Sequence, residues 1–343
     1  MIIRWALWCA LLVWQPLRAA DRLPAYGADL NQTTVSGISS GGYMAVQFHV
    51  AHSAVVRGAG VLAGGPYYCA QGSLWTAWNN CMKPRNWAPV PATEVLKTQT
   101  DVLARSGVID PTSHLARARV WLMSGSRDET VLPSVVEALQ RFYSSFVDPA
   151  RIKYVSDIAA GHGMITNDFG AACAATTSPY INDCDRDVAG ELLQYLYGAL
   201  KPAPLQEGGT LRQFDQREFF GGDAFRHSMA DTGYVYVPAQ CAQASCRVHV
   251  VFHGCRQNAE AVGETFVRHA GYNRWADGND LIIVYPQTVM RNGWGLSWSA
   301  GFIFNPRGCW DWWGYDSPNY HTKAGPQVKG VNAMVERLGE PRR

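Results

Sequence analysis

Short β-branched runs alternate with segments of helical spacing along most of this chain, and this alternation constrains its fold more than any other feature. In the first half the strand-like runs are TTVSGIS, VVRGAGVLAGG, ARVWLMSGSRD and IKYVSDIAAGHG, and helical spacing occurs in GYMAVQFHVAHS and LPSVVEALQRFYSSF. Alternation of this kind is typical of a mainly parallel sheet whose strands are joined by crossover helices. The sequence therefore predicts an α/β fold.

The pattern resumes after the segment KPAPLQEGGT, whose proline and glycine content is typical of a linker. Two more strands are predicted at CRVHVVFHGC and DLIIVYPQ, with one helix over residues 259–279 between them and a closing helix over PQVKGVNAMVERLGE. These C-terminal strands form either a second domain or the continuation of the first sheet.

One Gly-x-Ser-x-Gly pentad, GISSG, lies between the first predicted strand and the first predicted helix, with Ser39 at its centre. In a nucleophile elbow the serine occupies a sharp strand-to-helix turn, and glycines flank it because the two backbones approach too closely for side chains. The pentad alone is a weak signal, but this context is the one that the motif requires. Ser39 is therefore the predicted nucleophile.

A serine nucleophile needs a base, and the base needs an acid that holds its tautomer. Asp128 directly follows the third predicted strand, and His162 lies in a glycine-flanked loop after the fourth. This is the chain order that an α/β-hydrolase requires. The alternative for Asp128 is a helix N-cap, which is a common role for aspartate after a turn.

The oxyanion of the tetrahedral intermediate needs two backbone N–H donors, one of which normally belongs to the residue after the nucleophile, here Ser40. The second usually comes from a His-Gly loop after a strand, and His253-Gly254 provides such a loop more than 200 residues after Ser39. In an ordinary hydrolase this loop precedes the nucleophile. A circular permutation reconciles the order, and it makes the chain one catalytic domain.

The first 20 residues predict a secretory signal peptide, with one early cation, an apolar run of about ten residues and small residues at the end. Residues 21–343 would form the catalytic domain, secreted to the extracellular space or the periplasm. Eight cysteines then remain, and an even count in an oxidising compartment predicts four disulfides. Short loops favour Cys69–Cys81, Cys173–Cys184 and Cys241–Cys246, which leaves Cys255–Cys309.

Charge and composition exclude several classes of partner. The net charge is +2 and no basic run occurs, so neither nucleic acid nor a membrane is an expected partner, and no stable membrane anchor is expected. No cysteine or histidine cluster has zinc-ligand spacing, so no metal or cofactor is expected. A content of 47% hydrophobic residues is enough for a packed core. A monomer is expected.

Five segments carry a family resemblance: VSGISSGGYMAVQ, GSRDETV, TSPYINDCD, VFHGCRQN and NPRGCWDWWGY. With them the chain resembles the secreted short-chain-length polyhydroxyalkanoate depolymerases, specifically polyhydroxybutyrate depolymerases of the circularly permuted α/β-hydrolase type. The resemblance covers nearly all of residues 21–343. It implies the triad Ser39, Asp128 and His162, oxyanion donors at the backbone N–H groups of Ser40 and Cys255, substrate contact by Trp312, and the four disulfides given above.

The implied activity is hydrolysis of ester bonds in poly(3-hydroxybutyrate) or its oligomers through an acyl-enzyme. No separate polymer-binding domain is expected, so amorphous polymer or soluble oligomers are the expected substrates. Two alternatives stay open. One is a secreted feruloyl or acetylxylan esterase with the same triad, and the other is a non-catalytic secreted binding protein on a hydrolase scaffold.

Overall fold

The computed structural model describes residues 20–294 and 302–342, and of Phe302 the backbone only. The predicted signal peptide, residues 1–20, lies outside the described residues except for Ala20. In this part of the chain the strands are, in order, β1 (Asp29–Ile38), β2 (Gly58–Leu62), β3 (Arg119–Met123), β4 (Ile152–Val155), β5 (Met164–Thr166), β6 (Ala171–Ala172), β7 (Ile181–Asp183), β8 (Thr210–Asp215), β9 (Thr232–Val237), β10 (Arg247–Phe252), β11 (Leu281–Tyr285), β12 (Arg291–Trp294) and β13 (Phe302–Asn305).

The main sheet has the strand order β4-β3-β2-β1-β10-β11-β9-β8. The first six strands in this order run parallel, and β9 and β8 extend the sheet in antiparallel pairing at the β11 side. Strand β10 pairs directly with β1, with Gly37 opposite Phe252. The C-terminal strands therefore continue the first sheet, as the permuted order predicts, and the chain forms a single domain.

The α-helices of the described residues are α1 (Ser40–Ala51), α2 (Leu74–Asn79), α3 (Thr93–Arg105), α4 (Pro133–Ser144), α5 (Val188–Tyr197), α6 (Ala259–Val262), α7 (Thr265–His269), α8 (Tyr272–Asn279) and α9 (Pro326–Gly339). The prediction of one helix over residues 259–279 is wrong. Gly263 and Gly271 have φ values of +60° and +90°, outside the helical region, so they divide this segment into three short helices.

Helices cover both faces of the sheet, and each face has its own apolar core. Alternate residues of a strand point to opposite faces. In β11, Ile282 and Val284 pack in the core that also contains residues of α1, α4 and α9, while Leu281, Ile283 and Tyr285 pack in the core with residues of α5 and α8. Burial on both faces explains why β11 and most of β3 are continuous apolar runs in the sequence.

Disulfides brace the segments outside the sheet. The structure joins the cysteines as Cys69–Cys81, Cys173–Cys184, Cys241–Cys246 and Cys255–Cys309, the same pairs that the sequence analysis names. Three of them close loops of 5 to 12 residues, whereas Cys255–Cys309 spans 54 residues. The last one fixes the loop after β10 to the segment that follows β13.

Candidate active site

Ser39 occupies a strained turn between β1 and α1, with φ 57° and ψ −125°. A Cβ on Gly37 would lie 2.2 Å from the Gly41 carbonyl oxygen, and a Cβ on Gly41 would lie 2.2 Å from that of Phe252. Both contacts are with backbone atoms, so no side chain fits at either position. The two glycines allow the strand and helix to approach closely enough to hold Ser39 at the end of the sheet, 8% exposed.

Asp128 lies in the loop after β3 and forms hydrogen bonds with both carboxylate oxygens. Its Oδ2 accepts a hydrogen bond from Nδ1 of His162 at 2.7 Å, and its Oδ1 accepts from the backbone N–H groups of Thr130 at 2.8 Å and Val131 at 3.0 Å. The N-cap alternative does not hold, because α4 begins only at Pro133. One oxygen orders the loop, and the other holds the imidazole with its proton on Nδ1.

His162 is placed by its own loop as well as by Asp128. The backbone N–H of His162 donates a hydrogen bond to Thr176 Oγ1 at 2.9 Å, and the side chain is 9% exposed. With the proton on Nδ1, the free lone pair is on Nε2. That nitrogen is the one that can remove a proton from a hydroxyl.

The structure brings these residues to one edge of the sheet. Strands β1, β3 and β4 are parallel and Ser39, Asp128 and His162 follow their carboxyl ends. Val131, which is bonded to Asp128, lines the same cavity as Ser39. Among the described residues, Ser39 forms no direct hydrogen bond with His162. Catalytic hydrogen bonds are often long in an unliganded site and shorten when substrate binds.

The His253-Gly254 loop lies against the elbow, where a Cβ on Gly254 would be 3.3 Å from the Cβ of Ser39. His253 is fully buried; its Nδ1 bonds the Gly254 carbonyl at 2.7 Å, and its Nε2 accepts from the Thr288 N–H at 3.2 Å. Burial lowers the pKa of His253 to about 4, so the ring is neutral. Together with Gln257 Oε1, which accepts from the Gly254 N–H at 2.7 Å, it shapes the loop.

Two backbone N–H groups are available beside Ser39. Within the described part of the chain, neither the N–H of Ser40 nor that of Cys255 donates a hydrogen bond to a protein atom. Both residues line the cavity that contains Ser39. Ser40 is the first residue of α1, where the N–H groups have no partner within the helix and the helix dipole is positive. Such donors suit a developing oxyanion.

The cavity in front of Ser39 has a volume of about 700 Å³ and a mainly apolar lining. Trp312 forms one wall and stacks on Tyr43 of α1, with ring centroids 4.0 Å apart and an interplanar angle of 14°. The full lining comprises Ser39, Ser40, Tyr43, Leu74, Trp75, Ala77, Trp78, Asn79, Met82, Val131, Cys255, Phe304, Asn305, Pro306, Arg307, Cys309, Trp312 and Trp313.

The tryptophans of the sequence differ in their placement. Trp310 is buried in the core, where its Nε1–H donates a hydrogen bond to the His253 carbonyl at 3.0 Å. Trp313 lines the cavity with Trp312, while Trp294 on β12 is 82% exposed. Trp298 lies outside the described residues. The resemblance implies substrate contact by Trp312, and this residue stacks on α1, the helix that begins directly after Ser39.

Sequence reasoning missed a second group of aromatic residues at the mouth of the cavity. Leu74, Trp75 and Trp78 of α2 line it and are all about half exposed, and Trp87 lies beside Trp75 with ring centroids 6.1 Å apart. The available signal was the density of tryptophan around Cys81, in a short segment with no other apolar periodicity. Exposed large apolar groups clustered at a cavity are typical of a binding surface.

Two further findings concern metal binding and membrane-spanning helices. Among the described residues no group of three or more His, Cys, Asp or Glu side chains is arranged to hold a metal ion. In the same part of the chain, every helix is too short or too polar to span a membrane.

The chain is similar to proteins named as polyhydroxybutyrate depolymerases. No protein-family model matches the chain. Over 329 residues the chain is 47% identical to the poly(3-hydroxybutyrate) depolymerase of Delftia acidovorans, a match that covers 94% of this chain and 62% of that protein. Over 327 residues it is 36% identical to the polyhydroxybutyrate depolymerase of Talaromyces funiculosus, covering 93% of each. The chain thus spans less than two thirds of the length of the Delftia protein.

Solved structures of PHB depolymerases are also similar to this chain. The crystal structure of PHB depolymerase from Penicillium funiculosum matches with a TM-score of 0.84 and 34% identity, covering 93% of this chain and 98% of that one. A serine-to-alanine variant of a PHB depolymerase complexed with an R3HB trimer matches with the same values.

Proposed function

Because this chain belongs to the polyhydroxybutyrate depolymerase family, we propose that it is a serine esterase that hydrolyses the ester bonds of poly(3-hydroxybutyrate) and its oligomers. One observation carries the proposal: the strained Ser39 lies in a mainly apolar cavity walled by Trp312, at the sheet edge that also bears the Asp128–His162 pair. The relatives act on, or are complexed with, hydroxybutyrate esters, and this cavity supports the same substrate class here.

In the first step, Nε2 of His162 takes the proton from Ser39 Oγ as that oxygen attacks the ester carbonyl carbon. Asp128 keeps the ring oriented and stabilises the imidazolium. The backbone N–H groups of Ser40 and Cys255 stabilise the oxyanion of the tetrahedral intermediate. When the intermediate collapses, the C–O bond to the leaving group breaks, and His162 delivers the proton to the departing hydroxyl.

In the second step, His162 removes a proton from a water molecule, which attacks the acyl-enzyme at the same carbonyl. The tetrahedral intermediate is stabilised by the same two donors. Its collapse returns the proton to Ser39 Oγ and releases the hydroxyacyl product as a carboxylic acid. Each cycle consumes one ester bond and one water molecule.

The cavity lining favours a polyester over the alternative ester substrates. A site for feruloylated or acetylated sugars needs polar side chains that pair with the sugar hydroxyls, because a buried hydroxyl without a partner is costly. Apart from Ser39 and Ser40, the polar side chains in the lining are Asn79, Asn305 and Arg307 besides the tyrosine. A hydroxybutyrate chain has methyl branches and ester groups, which match a mainly apolar and aromatic wall.

The exposed aromatic residues Trp75, Trp78 and Trp87 support contact with polymer at the mouth of the cavity. Amorphous polymer and soluble oligomers are the proposed substrate forms, with the chain acting as a monomer. We also propose residues 1–20 as a cleaved signal peptide and residues 21–343 as the secreted catalytic domain. Four disulfides support export, since disulfides persist in oxidising compartments.

The test is release of soluble hydroxybutyrate from amorphous poly(3-hydroxybutyrate) by the purified protein, with a feruloyl ester assayed in parallel. Ser39→Ala should lose the release and should no longer be labelled by an organophosphonate. Ser134→Ala removes an exposed hydroxyl on α4 and should keep both. Cleavage of the feruloyl ester without release of hydroxybutyrate would show that the substrate is a feruloyl ester and not a polyester. Failure of the organophosphonate to label the native protein would favour a non-catalytic binding protein.

A further inference from the structure

We infer that Arg307 forms a carboxylate subsite at the active-site cavity, where its guanidinium binds the free carboxylate terminus of a hydroxyalkanoate oligomer. The inference rests on the proposed ester hydrolysis and adds a preference for oligomers with a free carboxylate end. An oligomer with a free carboxylate end is expected to react more efficiently than the same oligomer with that end esterified.

The charge distribution of the cavity is the first observation. Among the described residues that line it, Arg307 is the only charged one, and its side chain is exposed. Its guanidinium has no acidic partner in the described part of the chain. The undescribed segment nearest in sequence, residues 295–301, has the sequence GLSWSAG and contains no acid. The lining therefore presents one unneutralised positive charge in an apolar setting.

The backbone of Arg307 is fixed relative to the proposed oxyanion hole. Its carbonyl oxygen accepts a hydrogen bond from the backbone N–H of Arg256 at 2.7 Å, directly after Cys255. Two residues later, Cys309 is joined to Cys255 by a disulfide, and the side chain of Asn305 bonds the backbone of Cys309 at 2.8 and 3.0 Å. The segment that carries the guanidinium is thus fixed to the loop of Cys255, the proposed oxyanion donor.

The chemistry of the substrate supplies one matching group. A hydroxyalkanoate oligomer has neutral esters along its length and one carboxylate at its end, and every hydrolysis creates a new carboxylate. An arginine guanidinium pairs with a carboxylate through two parallel hydrogen bonds, which gives orientation as well as attraction. Neutral ester carbonyls gain much less from that charge. Arg307 therefore distinguishes a chain end from the interior of a chain.

The test compares a hydroxybutyrate trimer as the free acid with its methyl ester at pH 8, where the carboxylate is ionised. The native protein should show a higher kcat/KM for the acid. Arg307→Gln should lower kcat/KM about three- to fivefold for the acid, mostly through KM, with the ester unchanged, which is the range of an exposed ion pair. Arg307→Lys should retain part of the preference, because it keeps the charge without the planar fork.

Arg256→Gln is the matched control. It removes the same charge next to Cys255, from a side chain that does not line the cavity and bonds Tyr180. It should reduce the acid-to-ester ratio less than Arg307→Gln does. Hydrolysis of both trimers with a ratio that Arg307→Gln leaves unchanged would overturn the inference alone. Hydrolysis of neither trimer by the native protein would overturn the proposed function and the inference together.

Discussion

Replacing Asp128 by asparagine separates the two tasks of this side chain. In the structure Oδ1 accepts from the N–H groups of Thr130 and Val131, while Oδ2 accepts from His162. Asparagine retains one oxygen for the two backbone donors and presents an NH₂ group to the imidazole. Two donors then face each other, so the ring takes the tautomer with its proton on Nε2. No lone pair remains on the nitrogen that must take the proton of Ser39.

The expected loss in kcat is about 10⁴-fold, the size found when a triad aspartate becomes asparagine, which corresponds to about 5 kcal/mol of transition-state stabilisation. The free energy of unfolding should change little, because the loop keeps both of its hydrogen bonds. Asp128→Ala provides the contrast. It leaves two backbone N–H groups without an acceptor, and each lost bond to a charged group costs about 1.5 to 3 kcal/mol of stability.

The assay combines kcat for a p-nitrophenyl ester at saturating concentration with urea denaturation of each variant. The reasoning predicts a large kinetic effect with a small stability effect for Asp128→Asn, and large effects on both for Asp128→Ala. A kinetic loss below about tenfold for Asp128→Asn would show that the aspartate does not set the tautomer of the base. Equal destabilisation by the two variants would show that it serves only the loop.

Two further predictions concern stability and packing. Burial lowers the pKa of His249 from 6.5 to about 3. Between these two pH values His249 is protonated in the unfolded chain but not in the folded one, which lowers the free energy of unfolding by about 2 kcal/mol at pH 5. His249→Gln should therefore flatten the fall in urea-unfolding free energy between pH 7.5 and 5, and an unchanged fall would contradict the assignment. Gly41→Ala places a Cβ 2.2 Å from the Phe252 carbonyl oxygen and should abolish activity with a lower Tm. Gly208→Ala, in open space, should alter neither, and an active, stable Gly41→Ala protein would refute the close approach.

The sequence predicted the parts of this fold that depend on local pattern. The runs rich in β-branched and apolar residues are long enough to identify β1, β3, β10 and β11. The glycines on either side of Ser39 indicate a sharp strand-to-helix turn, because the strand and helix backbones there leave no space for a side chain. That β1 and β10 are adjacent in the sheet was predicted from the catalytic chemistry and not from the hydrophobic pattern. An oxyanion loop is useful only beside the nucleophile, so the two strands had to be adjacent.

Other features depend on tertiary context and were not predicted. Residues 259–279 have helical spacing throughout, yet the backbone at Gly263 and Gly271 has positive φ and leaves the helical region. Glycine adopts both helical and positive-φ conformations, so its presence in the sequence does not predict which of them it takes. Helix α2 has only 6 residues, fewer than two turns, and is too short for a periodic signal. Trp75 and Trp78 therefore gave no indication that they face the cavity. Their position depends on where the Cys69–Cys81 loop packs.

The strand order has a consequence for the stage of folding at which the proposed active site is complete. Strand β1 and the residues Ser39, Asp128 and His162 lie in the first half of the chain, but β10 and Cys255 follow more than 200 residues after β1. Pairing across such a separation must await the late part of the polypeptide and is slow. A growing or unfolded chain therefore carries Ser39, Asp128 and His162 without the loop that holds the proposed oxyanion donor Cys255. The proposed ester hydrolysis therefore requires the finished fold, and the order of the strands along the chain delays it.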